Sequence, residues 1–283
     1  MRYIPNTEAD CRQMLDAIGV GSVDDLFDDI PATVRLKRPL RIPPALSEAD
    51  LCRHLRALAA RNADVDRYSS FLGAGCYNHF SPAIIGHLIS RGEFLTAYTP
   101  YQPEISQGTL QAMYEYQTLI CQLTGMEVSN ASMYEGASAT AEAILMAHRL
   151  TGRDEVVLAR NVHPEYRQVT RTYAQQINLA FREAGYTPGG TVDLKQAKAL
   201  LNNRVACLVV QNPNFFGVIE DLAELAEAAH AVGALLVVAV AEPISLGLLK
   251  PPGECGADIV AGEGQGLGLS LIHISEPTRQ AEI

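Results

Sequence analysis

Between Thr96 and Gly108 the chain reads Thr96-Ala97-Tyr98-Thr99-Pro100-Tyr101-Gln102-Pro103-Glu104-Ile105-Ser106-Gln107-Gly108, a run dense in hydrogen-bonding side chains just before a helical pattern begins. Phenols, amides, hydroxyls and a carboxylate so grouped can orient a polar substrate and pass protons at a wet reactive surface. The residues alone leave a second reading equally open, a turn-rich connection whose Tyr and Gln side chains pack on the surface. From about Phe71 the composition has already turned to Gly, Pro, Tyr, Asn and Gln, and long irregular segments inside compact domains are usually functional or interfacial. The six cysteines, Cys11, Cys52, Cys76, Cys121, Cys207 and Cys255, have no CxxC spacing, so no zinc site and no disulfide framework is expected, only reduced and mostly buried thiols.

The elements that must position this run are legible from caps and periodicity. Thr7 can cap a helix ending near Gly19, Ser22 and Asp25 have capping-box spacing for the next, and Ser47 with Asp50 opens a third striped by Leu51, Leu55, Leu58 and Ala59. Between the second and third, Pro39-Leu40-Arg41-Ile42-Pro43-Pro44 forbids helix. A helical arm on such a stiff linker is suited to packing on its own large domain or on a partner subunit. Leu110, Met113, Tyr116, Ile120 and Leu123 predict a helix stopped by Gly125. Beyond it, helix from Gly136 to about Leu150, strand from Glu155 to Ala159, helix from Asp193, strand from Val205 to Val210, helix from Asp221 to Val232 and strand from Leu235 to Val240 alternate. Strands apolar throughout and separated by amphipathic helices predict an α/β protein with a parallel sheet covered on both sides.

At 283 residues and 48% hydrophobic content the chain can bury a full-sized core. Its formal net charge of -10 and lack of a dense Lys/Arg block argue against nucleic acid or anionic lipid as a partner. The longest apolar run, Ala231 to Ala241, falls well short of the ~20 residues that span a bilayer. The N-terminal residues lack an apolar core followed by a cleavage site, so a cytoplasmic location is expected.

Several runs together resemble one family. The Thr96 to Gly108 run is similar to a signature of glycine dehydrogenase (decarboxylating), the P-protein of the glycine cleavage system, in its separately encoded first subunit. So are the runs Gly125 to Ala139, Asn161-Val162-His163-Pro164, Gln211 to Gly217 and Gly256 to Val260, and the resemblance extends from Met1 to about Gly268. It implies the large domain of a fold type I pyridoxal-phosphate-dependent transferase with a mainly parallel sheet, preceded by a helical N-terminal arm at 1–65 and filling 66–268. It also implies a smaller C-terminal domain, missing here. The residues 269–283, with Leu269 to Arg279 similar to a translated sequencing adapter, are expected to be an artefactual tail.

What the resemblance implies about the site can be checked against each residue. Gly136, Ala137 and Ser138 open a helix with the small side chains of a phosphate cradle, but Glu135 beside them competes for the same N–H donors, and a plain capped helix start is the alternative. His163 resembles the imidazole that stacks on the cofactor ring in decarboxylases of this fold; the alternative is a histidine satisfied by neighbouring backbone. The lysine that should hold pyridoxal phosphate and move protons is absent: after the strand at Asp258 to Ala261 come Gly262-Glu263-Gly264-Gln265-Gly266, and Lys250 is the last lysine. The aspartate expected near the end of Leu235 to Val240 is absent too, with Glu242 the nearest acid.

The resemblance therefore implies a subunit of glycine dehydrogenase inactive alone, in paired heterodimers whose second, lysine-bearing subunit carries pyridoxal phosphate covalently. Glycine is decarboxylated at the completed site, and its aminomethyl group passes to the lipoyl arm of H-protein. Tyr98, Thr99, Tyr101, Gln102, Glu104 and Gln107 are the expected supporting residues, facing the cofactor pocket or the lipoyl channel across the interface. A non-catalytic scaffold of the same fold is the alternative.

Overall fold

The structure is a computed structural model that describes residues 5–64, 67–69, 71, 73, 77, 79–80, 82–95 and 99–267. The chain divides into two units, Met1–Ser69 and Ser70–Ile283. Tyr98 and the adapter-like tail lie outside the described residues.

The first unit holds helix α1 (Glu8–Ile18), a 3-10 helix at Val23–Phe27 and helix α2 (Glu48–Ala59), with irregular chain between the last two.

 Helix α2 runs over Glu48–Ala59. Thr7 caps α1 through a reciprocal capping box with Asp10, and Gly19 ends it in the left-handed conformation at φ 87°. Ser22 and Asp25 make the same box, but the element they open is a five-residue 3-10 helix, too short to close an α-helical register. Ser47 Oγ accepts from the Asp50 amide at 3.2 Å at the start of α2.

In the second unit, helices α3 (Ile84–Ile89), α4 (Gly92–Leu95), α5 (Gln107–Thr124) and α6 (Gly136–Thr151) precede strand β1 (Glu155–Ala159). Then follow α7 (Pro164–Ala174), β2 (Ala180–Ala184), α8 (Leu194–Leu200), β3 (Val205–Gln211), α9 (Leu222–His230), β4 (Leu235–Val240) and β5 (Ile259–Gly262). The five described strands form one sheet in the order β2-β1-β3-β4-β5, and every pairing is parallel. Every residue of β1 and β3 is buried, and because successive side chains point to opposite faces, both faces of the sheet centre are covered. The α/β architecture and parallel sheet match the expectation from the apolar strand pattern.

Helix α6 packs on β3, β4 and β5, and α9 packs on β4. Ile144, fully buried on α6, belongs to this core. Ile144→Val is expected to cost about 1 kcal/mol by removing one buried methyl group. Calorimetry should show a melting temperature about 2–4 °C lower, given a folded body of this size.

Two expectations are corrected. Helix α7 and strand β2, absent from the sequence reading, fill residues 164–184. The described cysteines are free, yet only Cys207 is buried, while Cys11, Cys121 and Cys255 are partly exposed and Cys52 is exposed. Cys207 occupies β3, where burial pushes its thiol pKa up and keeps it protonated and inert. No described helix is long and apolar enough to cross a membrane.

Candidate functional site

From β1 the chain moves to β2 on one side and to β3 on the other, so the strand order reverses between β1 and β3. Open α/β sheets bind ligands outside the carboxyl ends of their strands at such a reversal. That edge is built here from the residues after β1, the turn after β3, the ends of β4 and β5, and the N-terminus of α6.

The reversal point is closed by a buried polar network. Glu220 Oε1 accepts from Asn161 Nδ2 and Asn214 Nδ2, both at 2.6 Å, and its Oε2 accepts from the Val192 amide at 3.0 Å. The same two amide groups donate to the Gly190 carbonyl at 2.9 Å, and Asn212 Oδ1 accepts from the Glu220 amide at 3.0 Å. Gln211 Oε1 accepts from the His163 amide at 2.8 Å, tying the end of β3 to the turn after β1.

His163 is the N-cap of α7: its Nδ1 accepts from the Glu165 amide at 3.2 Å, so the hydrogen of the neutral ring is on Nε2. Pro164 at the first helical position suits this start. The imidazole meets Phe215 edge-on at 5.1 Å and Tyr166 at 5.3 Å. The hydrogen bond from the Glu165 amide engages Nδ1 locally.

At the start of α6 the Glu135 carboxylate turns back onto the helix and accepts from Ala137 at 2.6 Å and Ser138 at 3.0 Å. The remaining first-turn amide, Gly136, donates to Glu263 Oε2 at 3.0 Å. Glu263 directly follows β5, within the lysine-free run Gly262 to Gly266. Tyr166 of α7 covers the same point, because a Cβ on Gly136 would land on its hydroxyl. Burial first, then the Glu263 and Glu135 carboxylates, push the Tyr166 phenol above its ordinary pKa, so it stays neutral and able to donate.

Glu242, after β4, accepts from the Ile244 amide at 3.1 Å and pairs with His79 Nε2 at 2.8 Å. It caps the turn at Pro243–Gly247. These residues do not fit pyridoxal phosphate. The candidate cradle amides already bind carboxylates, the run Gly262 to Gly266 after β5 carries no lysine, and Glu242 is engaged with a turn and a histidine.

The structure gathers Gly136, Ala137 and Ser138 at one helix start, and the His163 ring lies 5.3 Å from that of Tyr166, which covers this start. Of the tyrosine-rich run, Pro103–Ile105 forms a 3-10 turn leading into α5, and Gln107 Nε2 donates back to the Pro103 carbonyl at 2.9 Å. Tyr101 is 84% exposed, and Gln102 and Glu104 are exposed, whereas Thr99 is half-buried. No hydrogen bond joins Tyr101, Gln102, Glu104 or Gln107 to the α6 start among the described residues. The sequence reading missed Glu220 and the contact made by Glu263. The acid at the end of the Gln211 to Glu220 stretch was the available signal for the first, and none existed for the second.

The glycine cleavage system P-protein family model matches residues 1–273. A relative from Carboxydothermus hydrogenoformans named "Probable glycine dehydrogenase (decarboxylating) subunit 1" is 51% identical over 96% of this chain and 61% of its own length. One of the same name from Desulfitobacterium hafniense is 54% identical over 96% of this chain and 60% of its own. The chain thus spans about 60% of the length of such relatives. A crystal structure of a glycine decarboxylase (P-protein) of the glycine cleavage system, in inhibitor-bound form, superposes with a TM-score of 0.84 at 48% identity, covering 95% of this chain and 60% of that one. A Burkholderia pseudomallei sphingosine-1-phosphate lyase shares the fold at a TM-score of 0.50 and 16% identity, over 74% of this chain and 51% of that one.

Proposed function

Because the chain belongs to the glycine cleavage system P-protein family, we propose that it is the subunit of glycine decarboxylase that lacks the cofactor lysine and completes a site on a second, lysine-bearing subunit. The observation that carries this reading is the lysine-free run Gly262 to Gly266 after β5, whose Glu263 is bonded to the Gly136 amide at 3.0 Å. Pyridoxal phosphate is then held covalently by the partner, where it supplies the electron sink for loss of carbon dioxide from glycine. The aminomethyl group leaves on the lipoyl arm of H-protein.

This chain contributes positioning groups. Tyr98, Thr99, Tyr101, Gln102, Glu104 and Gln107 face the partner's pocket or the lipoyl channel. The exposure of Tyr101, Gln102 and Glu104 supports that role, since a phenol, an amide and a carboxylate on an open segment can meet a second body. A soluble cytoplasmic assembly of paired heterodimers follows from the same reading.

The test is reconstitution. Neither subunit alone is expected to release carbon dioxide from glycine, and the mixture should do so. Tyr101→Phe and Gln102→Ala in the mixture are each expected to lower glycine-dependent bicarbonate exchange about 10²-fold if they act in proton transfer or positioning. Exchange untouched by both substitutions overturns the assignment of this segment. A fully active partner alone would leave this chain as a scaffold.

A further inference from the structure

We propose that Glu135 and Glu263 together form an internal plug at the N-terminus of α6, one that excludes phosphate esters from this chain's own cleft and holds the end of β5 to the helix. This deepens the proposed role of a subunit without its own cofactor, and it rests on that reading for its biological sense, although its chemistry does not.

Three consecutive amides, Gly136, Ala137 and Ser138, would be the donors available to an anion at this helix start. Glu135 occupies two of them and Glu263 the third. The two carboxylates come from places far apart in sequence, one from the residue before the helix and the other from behind β5. A local cap alone would need only the first. Glu263 therefore adds something beyond capping: it joins the sheet edge to the helix through a charge-assisted hydrogen bond. Tyr166 closes the remaining side, since even one methyl group on Gly136 would collide with its hydroxyl.

A phosphate ester carries about 1.5 to 2 negative charges near pH 7. Entering here, it would have to displace both carboxylates from their donors or sit beside them, and like charges at such range disfavour the second course. The positive end of the α6 dipole is thus already neutralised by the chain's own acids.

The experiment uses the full chain, with Glu263→Gln, Glu263→Ala and the double variant Glu135→Ala/Glu263→Ala beside the parent. Inorganic phosphate and pyridoxal phosphate are titrated by calorimetry, with phosphate-free pyridoxal as the control. The parent should show no saturable phosphate binding, and the double variant should gain it, at least about tenfold tighter than any residual binding by the parent. Amide hydrogen exchange gives a readout that does not need a ligand. Glu263→Ala should speed exchange at Gly136 about tenfold, the size expected for losing one charge-assisted hydrogen bond, while the amides of β3 stay protected.

Saturable binding of phosphate or pyridoxal phosphate by the parent overturns the proposal. So does an unchanged Gly136 exchange rate in a folded Glu263→Ala variant, or a folded double variant that gains no phosphate binding. Should the double variant fail to fold, the Gly136 exchange of Glu263→Gln, slower than that of Glu263→Ala but faster than the parent, decides the matter. Failure of reconstituted glycine decarboxylation leaves these results intact, and phosphate binding by the parent leaves reconstitution intact, so the two readings fail separately.

Discussion

Glu220→Ala is expected to lower the free energy of unfolding by about 3–5 kcal/mol, because three buried donors lose their shared acceptor at once and each lost bond costs about 1–3 kcal/mol before water relaxes the cavity. The donors are Asn161 Nδ2, Asn214 Nδ2 and the Val192 amide. Glu220 is 6% exposed, and among the described residues its hydrogen-bond partners are amide dipoles rather than cations. Glu220→Gln keeps one acceptor oxygen and should cost less than half as much. Urea unfolding, with a slope unchanged between variants, is the measurement. A loss below about 1 kcal/mol for Glu220→Ala would show that solvent replaces the carboxylate freely and that the network does not hold the crevice closed.

The same substitution bears on the site. Glu220 joins the turn after β1 to the segment after β3, and Gln211 carries that linkage to the His163 amide. His163 in turn caps α7, whose Tyr166 covers the α6 start. Loosening Glu220 is therefore expected to speed amide exchange at His163 more than at β4, since the exchange follows the local opening rather than the global one.

What could be read from the sequence depended on whether the determining interaction was local. Strands β3 and β4 announce themselves as unbroken apolar runs, and α1, α5 and α6 as caps and left-handed glycines at Gly19, Gly125 and Gly152. Helix α7 and strand β2 do not. Strand β2 is an edge among the described strands, alternating exposed and half-buried residues up to the buried Ala184, and its Glu183 meets Arg167 at 3.0 Å and Arg171 at 2.7 Å. Those arginines sit on α7, so the two elements complete each other through pairs 12 to 16 residues apart. Within the site the sequence showed a run without lysine after β5, but not what that run touches. Glu263 and Gly136 are 127 residues apart, and only the folded sheet brings them into contact.

The second large effect is expected at a contact with no side chain in it. Gly253→Ala should cost about 3 kcal/mol or more, at the top of the usual range for overpacking, because the new methyl group would overlap the Gly125 carbonyl and lie 2.6 Å from its carbon. Met126 Sδ, at 3.1 Å, can swing aside, but the backbone cannot. Gly125 is held in the left-handed conformation at φ 72°, with its amide bonded to the Cys121 carbonyl at 2.8 Å. On the other side, the Ala257 amide bonds to Pro252 at 3.0 Å, and Asp258 Oδ2 accepts from the Leu236 amide at 2.7 Å, anchoring the turn to β4. Thermal unfolding of Gly253→Ala and of Gly253→Ala/Met126→Ala separates the causes. The double variant should recover nothing, because the obstruction is main chain; recovery would assign the strain to the sulfur instead. Since α5 also carries the Tyr101 to Gln107 segment at its other end, a displaced Gly125 junction moves that segment as well. In a reconstituted heteromer Gly253→Ala is therefore expected to lower turnover even below its melting temperature, by misplacing groups that the substitution never touches.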